Sequence, residues 1–231
     1  MRFKITLLTL LLIGFIWPGS VIIAQEDDYL YELGAGVGAS VAYGDINKSR
    51  PLYNPTLAAD IVFRYNYSLR WSFVADLASY GLRGDSRDFG NVYPDGAQPS
   101  IDSRYWQLAL RPEFNFRNYG WGNDFREKSR LVPFLTMGLG VGVADSGDKN
   151  AFAVSLPLGA GMKWKAAPRV NVQLTCLFTK TFSDNTDGLK DPFGIESKAL
   201  KNTDWVGSLM LGVTFEWGTR CIKCNNHDLD L

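Results

Sequence analysis

Residues Glu32 to Asp45 read E-L-G-A-G-V-G-A-S-V-A-Y-G-D, with glycines at 34, 36 and 38. A glycine-rich run of this kind is either a loop that cradles phosphate or a strand that needs small side chains on one face. The spacing here is G-x-G-x-G, whereas the dinucleotide fingerprint is G-x-G-x-x-G between a strand and a helix. Taken in alternation, Tyr31, Leu33, Ala35, Val37, Ala39, Val41 and Tyr43 make one apolar face closed by tyrosine at each end. Glu32, Gly34, Gly36, Gly38, Ser40 and Ala42 make the other face, small or charged. Period-two alternation over a dozen residues is a strand, and a longer one than the ~5 to 6 residues usual in soluble sheets.

The same alternation recurs seven more times. The apolar faces begin at Leu57, Trp71, Trp106, Leu131, Phe152, Val170 and Trp205, and the opposite faces collect glycine, serine, threonine and charge. Eight such strands close into a barrel in one of two ways. A lipocalin-like barrel points its apolar face inward, and a membrane barrel points it outward. Aromatic residues near the strand ends match the interfacial girdles of a membrane barrel. The opposite face carries Glu32, Asp60, Arg64, Asp76, Arg111, Glu113, Lys163 and Glu216, which suits a lumen. The expected fold is therefore all-β, an eight-stranded antiparallel transmembrane barrel of the outer membrane. Asp60, Arg64, Asp76, Arg111 and Glu113 are expected to form an ion-pair network inside it, because a narrow interior must pair the charges it encloses.

The ends of the chain and its connections add to this. Arg2 and Lys4, an apolar run from Ile5 to Trp17, the breakers Pro18, Gly19 and Ser20, and Ala24 before a polar stretch form a cleavable export signal over residues 1–24. The run is shorter than the ~20 residues that cross a bilayer as a helix. The barrel then occupies 25–218 and a periplasmic tail 219–231. Long connections at 44–55, 83–104, 145–150 and 182–202 alternate with short ones after the second and sixth strands, as outer loops alternate with periplasmic turns. Arg117 to Arg130 breaks this rule by being long where a short turn belongs.

Basic and acidic residues balance at 24 each, so no field for nucleic acid is expected. The near-miss G-V-A-D-S-G-D-K at Gly142 to Lys149 puts Asp148 where a phosphate loop needs lysine. The lone histidine, His227, lies beyond the last strand, so no Ser/His/Asp constellation can be built in the barrel. No enzyme activity, no catalytic residue, no cofactor and no small-molecule substrate are expected. Cys221, Cys224 and His227 spell C-x-x-C-x-x-H in the tail. In an oxidising compartment the two thiols can bond each other or a partner protein, or join His227 in a zinc half-site short of the usual four ligands. Cys176 falls on an apolar face. The R-G-D at Arg83 to Asp85 is expected in an outer loop.

Several short runs occur in order along the chain: Y-G-D-I-N (Tyr43 to Asn47), F-R-Y-N (Phe63 to Asn66), P-F-L-T-M-G-L-G (Pro133 to Gly140), G-A-G-M-K (Gly159 to Lys163), N-T-D-W (Asn202 to Trp205) and G-V-T-F (Gly212 to Phe215). In these the chain resembles the PorG family of outer-membrane barrels, components of the type IX protein secretion system, over nearly all of residues 29–218. The resemblance implies a non-enzymatic outer-membrane component that contacts the periplasmic ring built from the PorK lipoprotein and PorN. Arg117, Tyr119, Trp121, Arg126, Lys128 and Arg130, together with the tail, would then be the docking surface. The alternative is a small surface barrel whose outer loops at 83–104 and 182–202 bind host or environmental ligands.

Overall fold

A computed structural model describes residues 28–43, 54–85, 100–121, 127–145, 150–182 and 205–219. The export signal at 1–24, the tail with Cys221, Cys224 and His227, Arg126, and most of each long loop lie outside these residues. Nine strand segments form in chain order: β1 Tyr29–Tyr43, β2 Thr56–Asn66, β3 Trp71–Asp85, β4 Ser100–Asn115, β5 Leu131–Met137, β6 Leu139–Asp145, β7 Asn150–Ala167, β8 Val170–Thr181 and β9 Trp205–Thr219. All pairings are antiparallel, with β5 and β6 both lying between β4 and β7, and β1 pairs with β9 from Tyr29↔Thr219 to Tyr43↔Trp205, which closes the ring. Closure leaves no unpaired sheet edge, the condition for a sheet to stand in hydrocarbon.

Nine segments amount to eight strands, because β5 and β6 are one strand with a one-residue break at Gly138. Both keep the same register against β4, with Glu113↔Thr136 before the break and Leu110↔Leu139 after it. Extending that register sets Pro112 opposite Met137 on one side and Pro157 opposite Gly138 on the other. Proline brings no N–H to the ladder, so the break falls where both neighbouring strands lack a donor. Gly138 keeps one bond, its N–H donating to Pro157 O at 2.9 Å.

The wall's polarity is inverted relative to a soluble protein. Leu57, Leu110, Leu139, Phe152 and Val37 are each more than 60% exposed, and comparable side chains ring the whole outer face. Continuous apolar cover of this extent is foreign to a soluble monomer. Glu32, Arg64, Glu113 and Lys163 are at most 1% exposed inside. The girdle appears at the end where β1 begins and β9 ends, where Tyr31 packs with Phe63, Tyr65 and Trp217, and Trp71 with Phe114. That end, called here the terminal end, carries the turns 67–70 and 168–169 and the 116–130 connection; the opposite end carries the long loops.

The strands overrun the expected loop boundaries. Arg83, Gly84 and Asp85 are not in a loop but in the last three residues of β3, paired with Asp102, Ile101 and Ser100 of β4. Alternation persists there, and Arg83 ion-pairs with Asp102 at 2.9 Å instead of presenting a free R-G-D tip.

Candidate functional site

The lumen fills in two halves. Toward the loop end an aromatic and small apolar layer sits among uncharged polar residues such as Ser40, Gln107 and Ser155: Tyr80 stacks on Tyr105 at 6.4 Å, with Ala58, Ala78, Leu82, Val206 and Met210 around them. Toward the terminal end the inward positions are charged. Arg64 on β2 reaches across to Glu113 on β4, Nε to Oε2 at 2.9 Å, and also ion-pairs with Glu32 on β1. Its Nη2 donates to Gln173 Oε1 at 2.5 Å, so one guanidinium ties four strands together. Lys163 on β7 approaches Glu113 at 2.5 Å from the far wall. Thr214 and Asn66 donate to Glu32 at 2.9 Å each.

A second ion pair lies beside this cluster, close enough for Arg111 to act on Glu113. Arg111 Nε donates to Asp76 Oδ1 at 3.0 Å, a diagonal pair between β3 and β4. Of the five expected network residues, Arg64 with Glu113 and Arg111 with Asp76 are thus paired, but in two groups. Asp60 forms no ion pair with either: its Oδ1 is buried without a hydrogen-bond partner, as is Arg111 Nη1, although Asp76, Arg111 and Arg64 lie near enough to act on its charge.

The sequence reading left out a third cluster nearest the terminal end. Lys165 Nζ donates to Glu216 Oε2 at 2.6 Å, and Asn171 Nδ2 donates to Glu216 Oε1 at 2.8 Å. Glu32 sits opposite Glu216 in the β1–β9 register, a like-charge pair that Arg64 on one side and Lys165 on the other neutralise. Parity alone could have found Lys165, two residues beyond Lys163 on the same face.

Over this cluster lies the long 116–130 connection. Its backbone is stitched to the β2–β3 turn, Tyr119 N–H donating to Leu69 O at 3.1 Å, and to itself through Ser129 N–H to Asn118 O at 2.8 Å. Tyr119 enters the mouth. Its hydroxyl donates to Asn171 Oδ1 at 2.7 Å, and its ring lies 5.2 Å from Lys165 Nζ and 5.8 Å from Lys163 Nζ. Burial, with the Glu32 and Glu216 carboxylates nearby, pushes the phenol well above its ordinary range, so it stays a donor. Lys128 folds its stem over Gly120 and pairs with Asp28 at 2.9 Å.

Of the residues expected on a docking surface, Tyr119 therefore points into the barrel mouth and Lys128 is buried against Gly120 and Asp28, and the two form a cap. Arg117 and Arg130 are exposed, and Trp121 is half-buried beneath the Arg130 guanidinium at 3.8 Å. Among the described residues, no group of three or more His, Cys, Asp or Glu side chains is arranged to hold a metal. Cys176 faces outward on β8, between Ala160 and Leu209 of its neighbours, as its parity implies.

The architecture is matched among solved structures. Neisserial surface protein A aligns with a TM-score of 0.53 at 15% identity, over 81% of this chain and 97% of that one. The chain has the fold of a small outer-membrane β-barrel. The attachment invasion locus protein Ail of Yersinia pestis, solved with the heparin analogue sucrose octasulfate, gives 0.47 at 15% identity over 82% and 99%. The N-terminal barrel domain of Pseudomonas aeruginosa OprF gives 0.44 at 11% over 82% and 100%. At these identities the likeness concerns the fold alone. No protein-family model and no curated protein sequence matches the chain.

Proposed function

We propose that the protein is exported through its cleaved leader to the outer membrane and serves there as a non-enzymatic, non-conducting anchor of the type IX secretion machine. On this reading its terminal end faces the periplasm and holds the ring built from PorK and PorN. One observation carries it: the lumen is closed twice over, by the Arg64–Glu113–Lys163 cluster and by the Tyr119 cap. An interior committed to ion pairs with one another leaves the two ends as the working surfaces. The described residues 116–121 and 127–130 give the terminal end a relief that a plain turn would lack, and the order of short runs that resembles the PorG family supports this choice of machine. Crosslinking followed by purification from membranes should recover the barrel with a periplasmic lipoprotein and a ring protein; recovery of the barrel alone would sink this assignment. In the same preparation, a higher-mass band on non-reducing gels that disappears with Cys221→Ser or Cys224→Ser would mark the tail as a covalent contact.

A second reading has an observation of its own. At the loop end the β3–β4 hairpin stands beyond the start of β2, and an open cleft lined by Thr56, Gly81, Arg83, Ser103, Arg104 and Asp145 lies beside it. This would suit a surface barrel that binds external ligands. Deleting residues 86–99 and 183–204 should leave cargo secretion intact on the first reading and abolish function on the second.

A further inference from the structure

Every connection at the terminal end carries an exposed arginine. Arg70 closes the β2–β3 turn, Arg117 and Arg130 bracket the capping connection, and Arg169 lies in the β7–β8 turn. Each adjoins the wall directly. Trp71, Phe116 and Leu131, the chain neighbours of the first three, are about half-exposed on the outward face, and Val170 opens β8 beside the fourth. The four guanidiniums thus stand at the level where the apolar band ends.

None of the four has a carboxylate partner among the described residues. Three of them are instead held by neutral groups: Arg70 Nε donates to Asn118 Oδ1 at 3.1 Å, and Arg169 Nε donates to the Tyr29 hydroxyl at 3.0 Å with its guanidinium 5.1 Å over that ring. Arg130 lies over Trp121. Neutral partners fix where a guanidinium points without cancelling its charge. The contrast with the lumen is sharp, since Arg64 and Arg111 there are each matched to an acid. At this rim the described carboxylates are Asp28, taken by Lys128, and the exposed Glu127.

We infer that this collar binds the phosphates of anionic phospholipid in the leaflet at the terminal end. Guanidinium forks match phosphate oxygens in a bidentate fashion, and basic side chains at a bilayer's edge are attracted to anionic headgroups. The distribution favours lipid over an acidic protein. The arginines sit on three connections spaced around the ring, as an annulus of lipid would meet them, and are not gathered on one side as a single docking partner would require. The inference rests on the membrane placement proposed above but not on the secretion partner.

The test uses the full-length protein in detergent, incubated with equal amounts of phosphatidylglycerol and phosphatidylcholine, with bound lipid counted by native mass spectrometry. The wild type should retain phosphatidylglycerol in preference. Replacing Arg70, Arg117, Arg130 and Arg169 by glutamine should erode that preference roughly fivefold per residue, while Arg83→Gln at the loop end leaves it unchanged. The pairs Arg70→Gln/Arg169→Gln and Arg117→Gln/Arg130→Gln give the same readout should the fourfold variant fold poorly. An unchanged lipid preference in heat-modifiable, folded variants overturns the proposal. If those variants instead lose a co-purifying periplasmic protein, the collar is a protein dock and the lipid assignment is likewise wrong.

Discussion

At the residue scale the glycines of the opening stretch are unequal. A Cβ on Gly34 would meet Val213 O at 2.1 Å and one on Gly38 would meet Leu209 O at 1.9 Å, both backbone atoms of β9. On Gly36 it would meet Asp60 Oδ1 at 2.4 Å, the end of a side chain that can swing away. The crowding thus comes from the neighbouring strand and from Asp60, while Arg111 crowds Gly138. Gly38→Leu should block barrel closure, seen as loss of heat-modifiable migration, whereas Gly36→Ala should still assemble. Arg64 is the other decisive residue. Arg64→Leu removes the ion-pair partner of buried Glu32 and leaves Glu113 to Lys163 alone, and should cost about 3–5 kcal/mol in urea unfolding from detergent or lipid. Arg83→Leu at the exposed pair with Asp102 should change little, since surface pairs are worth about 0–1 kcal/mol.

At the scale of elements the cap and the broken strand matter most. Tyr119→Phe removes the hydroxyl that donates to the buried Asn171 Oδ1, and should cost about 1–3 kcal/mol because an acceptor is left unsatisfied. Replacing residues 118–129 by a short turn should expose the Lys165–Glu216 pair to water and speed hydrogen exchange at β8 and β9 near that end, with the barrel still closed. Retained protection there would mean that the segment merely rests on the mouth. The strand break was legible after the fact: Pro112 and Pro157 lie in the middle of strongly alternating runs, and each withholds a donor from the strand between them. The capping fold of 116–130 was not legible. Its length marked it as unusual, but nothing in Tyr119 or Lys128 says that they become buried.

For the whole molecule, the two plugs in series make a definite statement about transport. The purified barrel should show no stepwise ion conductance in planar bilayers, and substituting Arg64 alone should not open it, because the Tyr119 cap and the Tyr80–Tyr105 layer remain. Stable channels in the wild type would contradict the closed lumen. The charge layout also gives the molecule a direction: charges inside that are paired except for Asp60, Arg83 paired with Asp102 at the loop end, and at the terminal end an arginine collar with no carboxylate partner among the described residues.

Alternation by itself determined strand number, the inward and outward faces and closure into a membrane barrel, because a period of two fixes which side each residue takes and an apolar outer face has only lipid to meet. It also placed nearly all the lumen charges on the correct face. Which charge meets which, the lack of an ion pair at Asp60, the aromatic plug at the loop end and the cap at the other were decided only in three dimensions. Those depend on stagger between strands far apart in sequence, such as Arg64 with Glu113 and Tyr119 with Asn171, and on how far a side chain reaches across a narrow lumen. Parity along one strand carries no information about either.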